Sequence, residues 1–217
     1  MTNLQKRILT SLIIFPASIF FLVQGGYLLL FFLLTVFFIA NYELLSVFKK
    51  KTTILFIDLI LILSLFSIYL LRDTDQISLK LLIWLIILTI CSDIGGYTFG
   101  KIFKWKKLTK ISPKKTISGV LGSFILSLFS LYIAENISIT SSLYIKYLEP
   151  KFFFLAIIFS LTAQAGDLVI SYFKRLEKIK DTGKILPGHG GIFDRIDGLM
   201  FVVIVAFIFY KLHFIPQ

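Results

Sequence analysis

The chain has 217 residues, of which 57% are apolar and 16% are charged, with a net charge of +11. A soluble domain runs at roughly 45–50% apolar and roughly 25% charged, so this composition excludes a soluble globular domain and a disordered chain, while the single cysteine, Cys91, excludes an internal disulfide scaffold. A polytopic membrane protein remains, provided the apolar residues come in spanning runs.

Seven runs are present: about Ile8–Val23, Tyr27–Leu45, Ile54–Leu71, Leu81–Tyr97, Ile117–Ala134, Phe152–Ile170 and Leu199–Leu212. They predict an all-α, polytopic membrane protein with about seven transmembrane helices. Several runs are short for a bilayer core of about 30 Å, so some ends must extend or the bilayer must thin. The first run follows Lys6 and Arg7, as a signal peptide would. It reads as a retained helix, because no small-residue cleavage site follows and six more runs do. In the second and third runs, Glu43 and Asp58 read as snorkelling or locally paired carboxylates.

The basic residues alternate between loops. Eighteen fall on the N-terminus and the even-numbered connections, and five on the others. The positive-inside rule then places the N-terminus in the cytoplasm and the C-terminus outside, which requires an odd number of spans. The chain reads as one domain, residues 1–217, with its water-soluble chemistry in two cytoplasmic loops at about 100–116 and 171–197. The outer loops, such as Glu135–Lys151, read as plain connectors.

Asp93 lies near the cytoplasmic end of the fourth run, in Cys91-Ser92-Asp93-Ile94-Gly95-Gly96-Tyr97. A carboxylate at membrane depth costs roughly 2.5–3.5 kcal/mol on insertion scales, so it needs an ion, a cationic partner or a wet cavity. In the next loop, Ser112-Pro113 reads as an N-cap followed by proline at the first helical position. Lys114 and Lys115 then fall in a first helical turn, where they oppose the helix dipole. A bound anion removes that conflict. The competing reading is lysine held near anionic lipid.

Asp167 lies in Gly166-Asp167-Leu168 at the end of the sixth run. If that helix continues past the membrane, Asp167, Ser171, Lys174 and Lys178 share one face. The loop that follows, Lys180-Asp181-Thr182-Gly183-Lys184-Ile185-Leu186-Pro187-Gly188-His189-Gly190-Gly191, is rich in glycine, which lets backbone approach an anion closely. Asp194 and Asp197 follow, three apart on one helical face, with Asp194 also suited to an N-cap. An oxygen-only ligand set suits a hard divalent cation such as Mg²⁺ and does not suit zinc.

From Ser171 to Asp197 the fixed positions are Ser171, Phe173, Lys174, Arg175, Lys180, Asp181, Gly183, Leu186, Pro187, His189, Gly190, Gly191, Ile192, Asp194, Arg195, Ile196 and Asp197. This pattern resembles the signature of the phosphatidate cytidylyltransferases, or CDP-diacylglycerol synthases. Gly166-Asp167-Leu168 and Ile111-Ser112-Pro113-Lys114-Lys115-Thr116 also fit, so the likeness runs from about Asp93 to Asp197. The chain departs from it at Ile117-Ser118-Gly119, at Gly198 and at Ile94-Gly95, and its first half is short.

The resemblance implies a nucleotidyltransferase that converts CTP and phosphatidate to CDP-diacylglycerol and pyrophosphate. It implies a divalent metal, Mg²⁺, on Asp167 and Asp194, with Asp93 and Asp197 as further ligands or their supports. Lys174, Arg175 and Arg195 join the two leading aspartates as catalytic candidates. Lys114, Lys115, Ser171, Lys180, His189, Gly190 and Gly191 are the substrate-binding candidates. No protein nucleophile is required, because the lipid phosphate attacks; the protein aligns two anions and neutralises the leaving group. His213 reads as structural.

The partners expected are CTP, phosphatidate and the lipid bilayer, with no nucleic acid and with a homodimer left open. The expected location is a bacterial inner membrane. The alternatives are an ion-coupled transporter, which would place functional acids on both sides of the membrane, and a related polyprenol or lipid-alcohol kinase.

Overall fold

A computed structural model describes residues 3–74, 76–109, 111–139, 145–179, 181–183, 185–186 and 190–215. Among them are seven helices and no strand: α1 (Asn3–Gln24), α2 (Gly26–Val47), α3 (Lys51–Thr74), α4 (Gln76–Phe103), α5 (Ile117–Ile139), α6 (Pro150–Leu176) and α7 (Phe193–Lys211). The protein is an all-α, polytopic membrane protein. Helices α2 to α6 are each long and apolar enough to cross a bilayer. Helix α1 adds a shorter apolar stretch, Leu9–Gln24. Helix α7 opens with Asp194, Arg195 and Asp197, so its apolar stretch begins only after them.

The helices outrun the apolar runs. Helix α4 has 28 residues, because Gln76–Lys80 and Thr98–Phe103 continue it at both ends. At about 1.5 Å per residue such a helix exceeds a core of about 30 Å, so the short runs do not force the bilayer to thin at α4.

Two buried clusters hold the bundle. In one, the fully buried indole of Trp84 (α4) meets Tyr147, Phe152 and Phe159 at ring distances of 5.5, 5.6 and 5.7 Å. Its Nε1 donates to Ser130 Oγ of α5 at 3.1 Å. In the other, Ala40 and Leu44 (α2), Ile57 and Leu61 (α3), Ile170 (α6), and Phe193 and Met200 (α7) pack together. Large side chains such as Leu12, Phe38, Phe66 and Phe154 are exposed, as lipid-facing positions require.

Helices α4 and α5 touch backbone to backbone. A methyl group on Gly119 would stand 2.7 Å from Gly96 O, and one on Gly122 would stand 2.5 Å from Gly95 O. Small residues permit this approach in membranes. Ser123 Oγ adds a bond to Ser92 O at 2.8 Å. Helices α6 and α7 use a second glycine contact: Gly166 lies under the Phe201 ring, and Gly198 faces Ala163 O. Each close contact sits within three residues of an acid, Asp93, Asp167 or Asp197, so the same crossings bring the carboxylates toward one another.

Arg72 at the end of α3 reaches back to α1. Its Nε and Nη2 donate to Leu22 O at 2.6 Å and Val23 O at 2.5 Å. Those carbonyls lack helical partners, and a cation is favoured there.

Candidate active site

The segment before α5 is not helical where a cap at Ser112 predicts a helix. Lys115 N donates to Ser112 O at 3.0 Å, which makes Ser112–Lys115 a turn. The N-cap is Thr116, whose Oγ1 accepts Gly119 N at 3.1 Å. Backbone bonds from Leu108 N to Lys115 O and from Ile117 N to Lys106 O fix this turn against the first part of the loop. Lys114 and Lys115 therefore precede the helix. The dipole conflict used to argue for an anion does not arise, and the lysines stand free of the first turn.

Lys114 is exposed. Lys115 turns inward instead, where its Nζ pairs with Asp167 Oδ2 at 2.6 Å and donates to Gln164 O at 3.2 Å. The other Asp167 oxygen accepts Ser171 Oγ at 3.2 Å, one helical turn on. Asp167, Ser171 and Lys174 do share a face of α6. Lys178 does not: α6 stops at Leu176, and Lys178 has φ 59° in the reversal that follows.

Lys174 is buried, and its Nζ lies 2.9 Å from Asp194 Oδ1 and 4.0 Å from Asp197 Oδ2. Asp194 Oδ2 accepts Thr182 N at 2.9 Å and Gly191 N at 3.3 Å. Asp194 is thus in the first turn of α7 rather than at its cap, which is Ile192. Asp197 Oδ1 accepts Gly198 N at 2.9 Å. Asp93, Asp167 and Asp197, from α4, α6 and α7, lie within electrostatic reach of one another, and Lys115 and Arg195 act on Asp93. Among the described residues, no three Asp, Glu, His or Cys side chains converge as a ready metal-ligand set.

The glycine loop folds on itself. Leu186 and Gly190 exchange backbone bonds at 2.9 and 3.1 Å, with Gly190 at φ 92°. The Gly190 and Gly191 amides are therefore both bonded within the loop and at Asp194. Arg175 donates to Ile111 O at 3.4 Å and Ile179 O at 2.7 Å, which ties the two loops together. Lys180 and His189 lie outside the described residues.

Sequence reasoning missed Glu43. The snorkelling alternative fails: the side chain is buried, at 1% exposure. Its Oε1 accepts Ile192 N and its Oε2 accepts Phe193 N, both at 3.1 Å. Its partners are the amides that open α7, with the Thr182 side chain beside them. Asp58, by contrast, is locally paired, accepting Asn41 Nδ2 at 2.7 Å.

The arrangement is a cluster of carboxylates and ammonium groups from the C-terminal halves of α4 and α6 and the first turns of α7, backed by a backbone-braced loop. Such a cluster suits polyanionic phosphate chemistry. The cytidylyltransferase family model matches residues 49–213, and the chain belongs to that family. It is 33% identical over 225 residues to the phosphatidate cytidylyltransferase of Rickettsia felis, covering 94% of this chain and 91% of that protein. The phosphatidate cytidylyltransferase of Helicobacter pylori is 37% identical over 142 residues, covering 64% of this chain and 48% of that protein. That of Rickettsia conorii is 38% identical over 138 residues, covering 58% and 57%. The chain thus spans about half the length of the latter two relatives.

Proposed function

We propose that the protein is a phosphatidate cytidylyltransferase. An oxygen of the phosphatidate phosphate attacks the α-phosphorus of CTP. The new P–O bond forms as the bond from the α-phosphorus to the bridging oxygen breaks, giving CDP-diacylglycerol and pyrophosphate. The observation that carries this reading is the Asp167 cluster, where acids of α4, α6 and α7 meet lysines from the turn before α5 and from α6. The named activities of the relatives point the same way.

The oxygen-only donors Asp93, Asp167 and Asp197, within electrostatic reach of one another, would suit a hard divalent cation once drawn together, and we take that ion to be Mg²⁺. Asp194 would join them on releasing Lys174. Such an ion, when bound, would supply charge neutralisation on the triphosphate. Lys115, on leaving Asp167, offers its ammonium to a phosphate, and Lys174 does the same from the opposite wall. Lys114 and Arg195 add positive charge at the rim. Ser171 orients Asp167. Gly190 and Gly191 shape the loop rather than offering free amides. Lys180 and His189 remain phosphate-binding candidates from the signature.

The positive-inside count supports a cytoplasmic N-terminus, with the cluster facing the cytoplasm. The bacterial relatives support an inner-membrane location. The test is purified protein in mixed micelles with phosphatidate, Mg²⁺ and CTP labelled on the α-phosphate. Labelled CDP-diacylglycerol and free pyrophosphate are expected, and chelation abolishes both. Release of CDP with a phosphorylated lipid alcohol as product would replace this reading with a kinase.

A further inference from the structure

Glu43 stands on α2, ahead of the stretch that the family model matches, residues 49–213. Its carboxylate accepts one amide on each oxygen, from Ile192 and Phe193. These amides belong to the unsatisfied N-terminal set of α7, which has no side-chain cap of its own. The charge also lies at the positive end of the α7 dipole.

The loop is built around this carboxylate. A methyl group on Gly183 would stand 2.6 Å from Glu43 Oε1, with all three of its nearest atoms on Glu43. One on Gly191 would press on Thr182 Oγ1 first and stand 2.6 Å from Glu43 Oε2. Glycine is therefore needed at both positions for space. Asp194 takes the amides of Thr182 and Gly191, while Glu43 takes those of Ile192 and Phe193. Two acids on different helices thus hold four amides of one segment.

We infer that Glu43 is a positioning residue for the reaction, acting through the first turn of α7 to fix Asp194 and Asp197 against Lys174. It touches no reacting atom in this role. Its effect on turnover rests on the nucleotidyl-transfer reading above; its effect on the loop does not.

The test compares Glu43→Ala, Glu43→Gln, Gly183→Ala and the double variant Glu43→Ala/Gly183→Ala. Hydrogen exchange in peptides covering 181–197 should quicken about tenfold in Glu43→Ala, while α4 and α5 keep their protection. In the same variant kcat should fall by up to about a hundredfold, as a small misplacement of reacting groups does, with KM for CTP little changed. Glu43→Gln keeps one acceptor oxygen and should fall between. Gly183→Ala should impair the wild-type background yet add little to Glu43→Ala, since the three atoms nearest its added methyl all belong to Glu43. Native exchange across 181–197 in Glu43→Ala, or full additivity of the two substitutions, overturns the inference. If the wild type transfers no nucleotide, the exchange data and the exchange-based cycle still decide it.

Discussion

Lys115, in the turn before α5, meets Asp167 of α6 at 2.6 Å. Their side chains are 24% and 35% exposed, so the pair is partly screened by solvent. An ion pair of this exposure contributes at most about 1 kcal/mol to stability. Its value lies in placement: it parks an ammonium group on the acid at the centre of the cluster.

Lys115→Ala should therefore leave the thermal midpoint of the detergent-solubilised protein nearly unchanged. Its kcat/KM for CTP should drop about tenfold or more, corresponding to about 1.4 kcal/mol of lost transition-state stabilisation. Lys114→Ala should do less, because Lys114 faces outward. Steady-state kinetics at two salt concentrations measure both; equal kinetics in Lys115→Ala and the wild type would reduce Lys115 to a topology signal.

Asp194→Asn should be harmful in two ways. It removes the charge facing buried Lys174, and breaking a buried pair costs about 3–5 kcal/mol. The nearby Asp197 keeps the loss toward the lower end. Turnover should fall by about a hundredfold or more, the scale of a lost electrostatic group at a reacting centre. Asp181→Asn, on an exposed side chain, should do much less. Thermal unfolding and product formation at matched folded protein separate the two effects.

Gly122→Val should open the α4–α5 crossing, because added carbon meets Gly95 O and the Phe99 side chain. Overpacking of this kind costs about 1–3 kcal/mol. Resistance to denaturing detergent should fall, and activity with it, since α4 carries Asp93. Native stability in this variant would mean that the two helices are not held by close contact.

If α1 and α7 cross as α2 to α6 can, seven crossings put the chain ends on opposite sides of the membrane. A tag before Met1 should be protected in intact cells, and one after Gln217 should be reached from outside the cytoplasm. Both tags on one side would remove α1 or α7 from the count of spans.

The seven helices were legible because lipid-facing and core-facing positions are both apolar, so each span appears as an unbroken run. Their ends were not. Thr98 to Phe103 prolong α4 without a hydropathy signal, and Thr116, not Ser112, caps α5. Asp93, Asp167 and Asp197 stood out because acids are scarce and glycines flank them. Glu43 did not, because its partners are main-chain amides that leave no mark in a side-chain pattern. The trace it left was the pair Gly183 and Gly191, whose lack of a Cβ makes room for it.

The site acids lie on four helices, and two of them, Glu43 and Asp93, are made before the groups that face them. Glu43 is made long before the amides of Ile192 and Phe193, and Asp93 before Lys115 and Arg195. An acid at membrane depth costs roughly 2.5–3.5 kcal/mol until it finds a partner. The growing chain therefore carries an unpaid electrostatic cost through most of its insertion. Entry of α7 releases that cost, because its first turn brings the Glu43 amides and Arg195 together. The last helix is the closing element of the bundle, because a chain that ends before it holds Glu43 without the two amides that bind it.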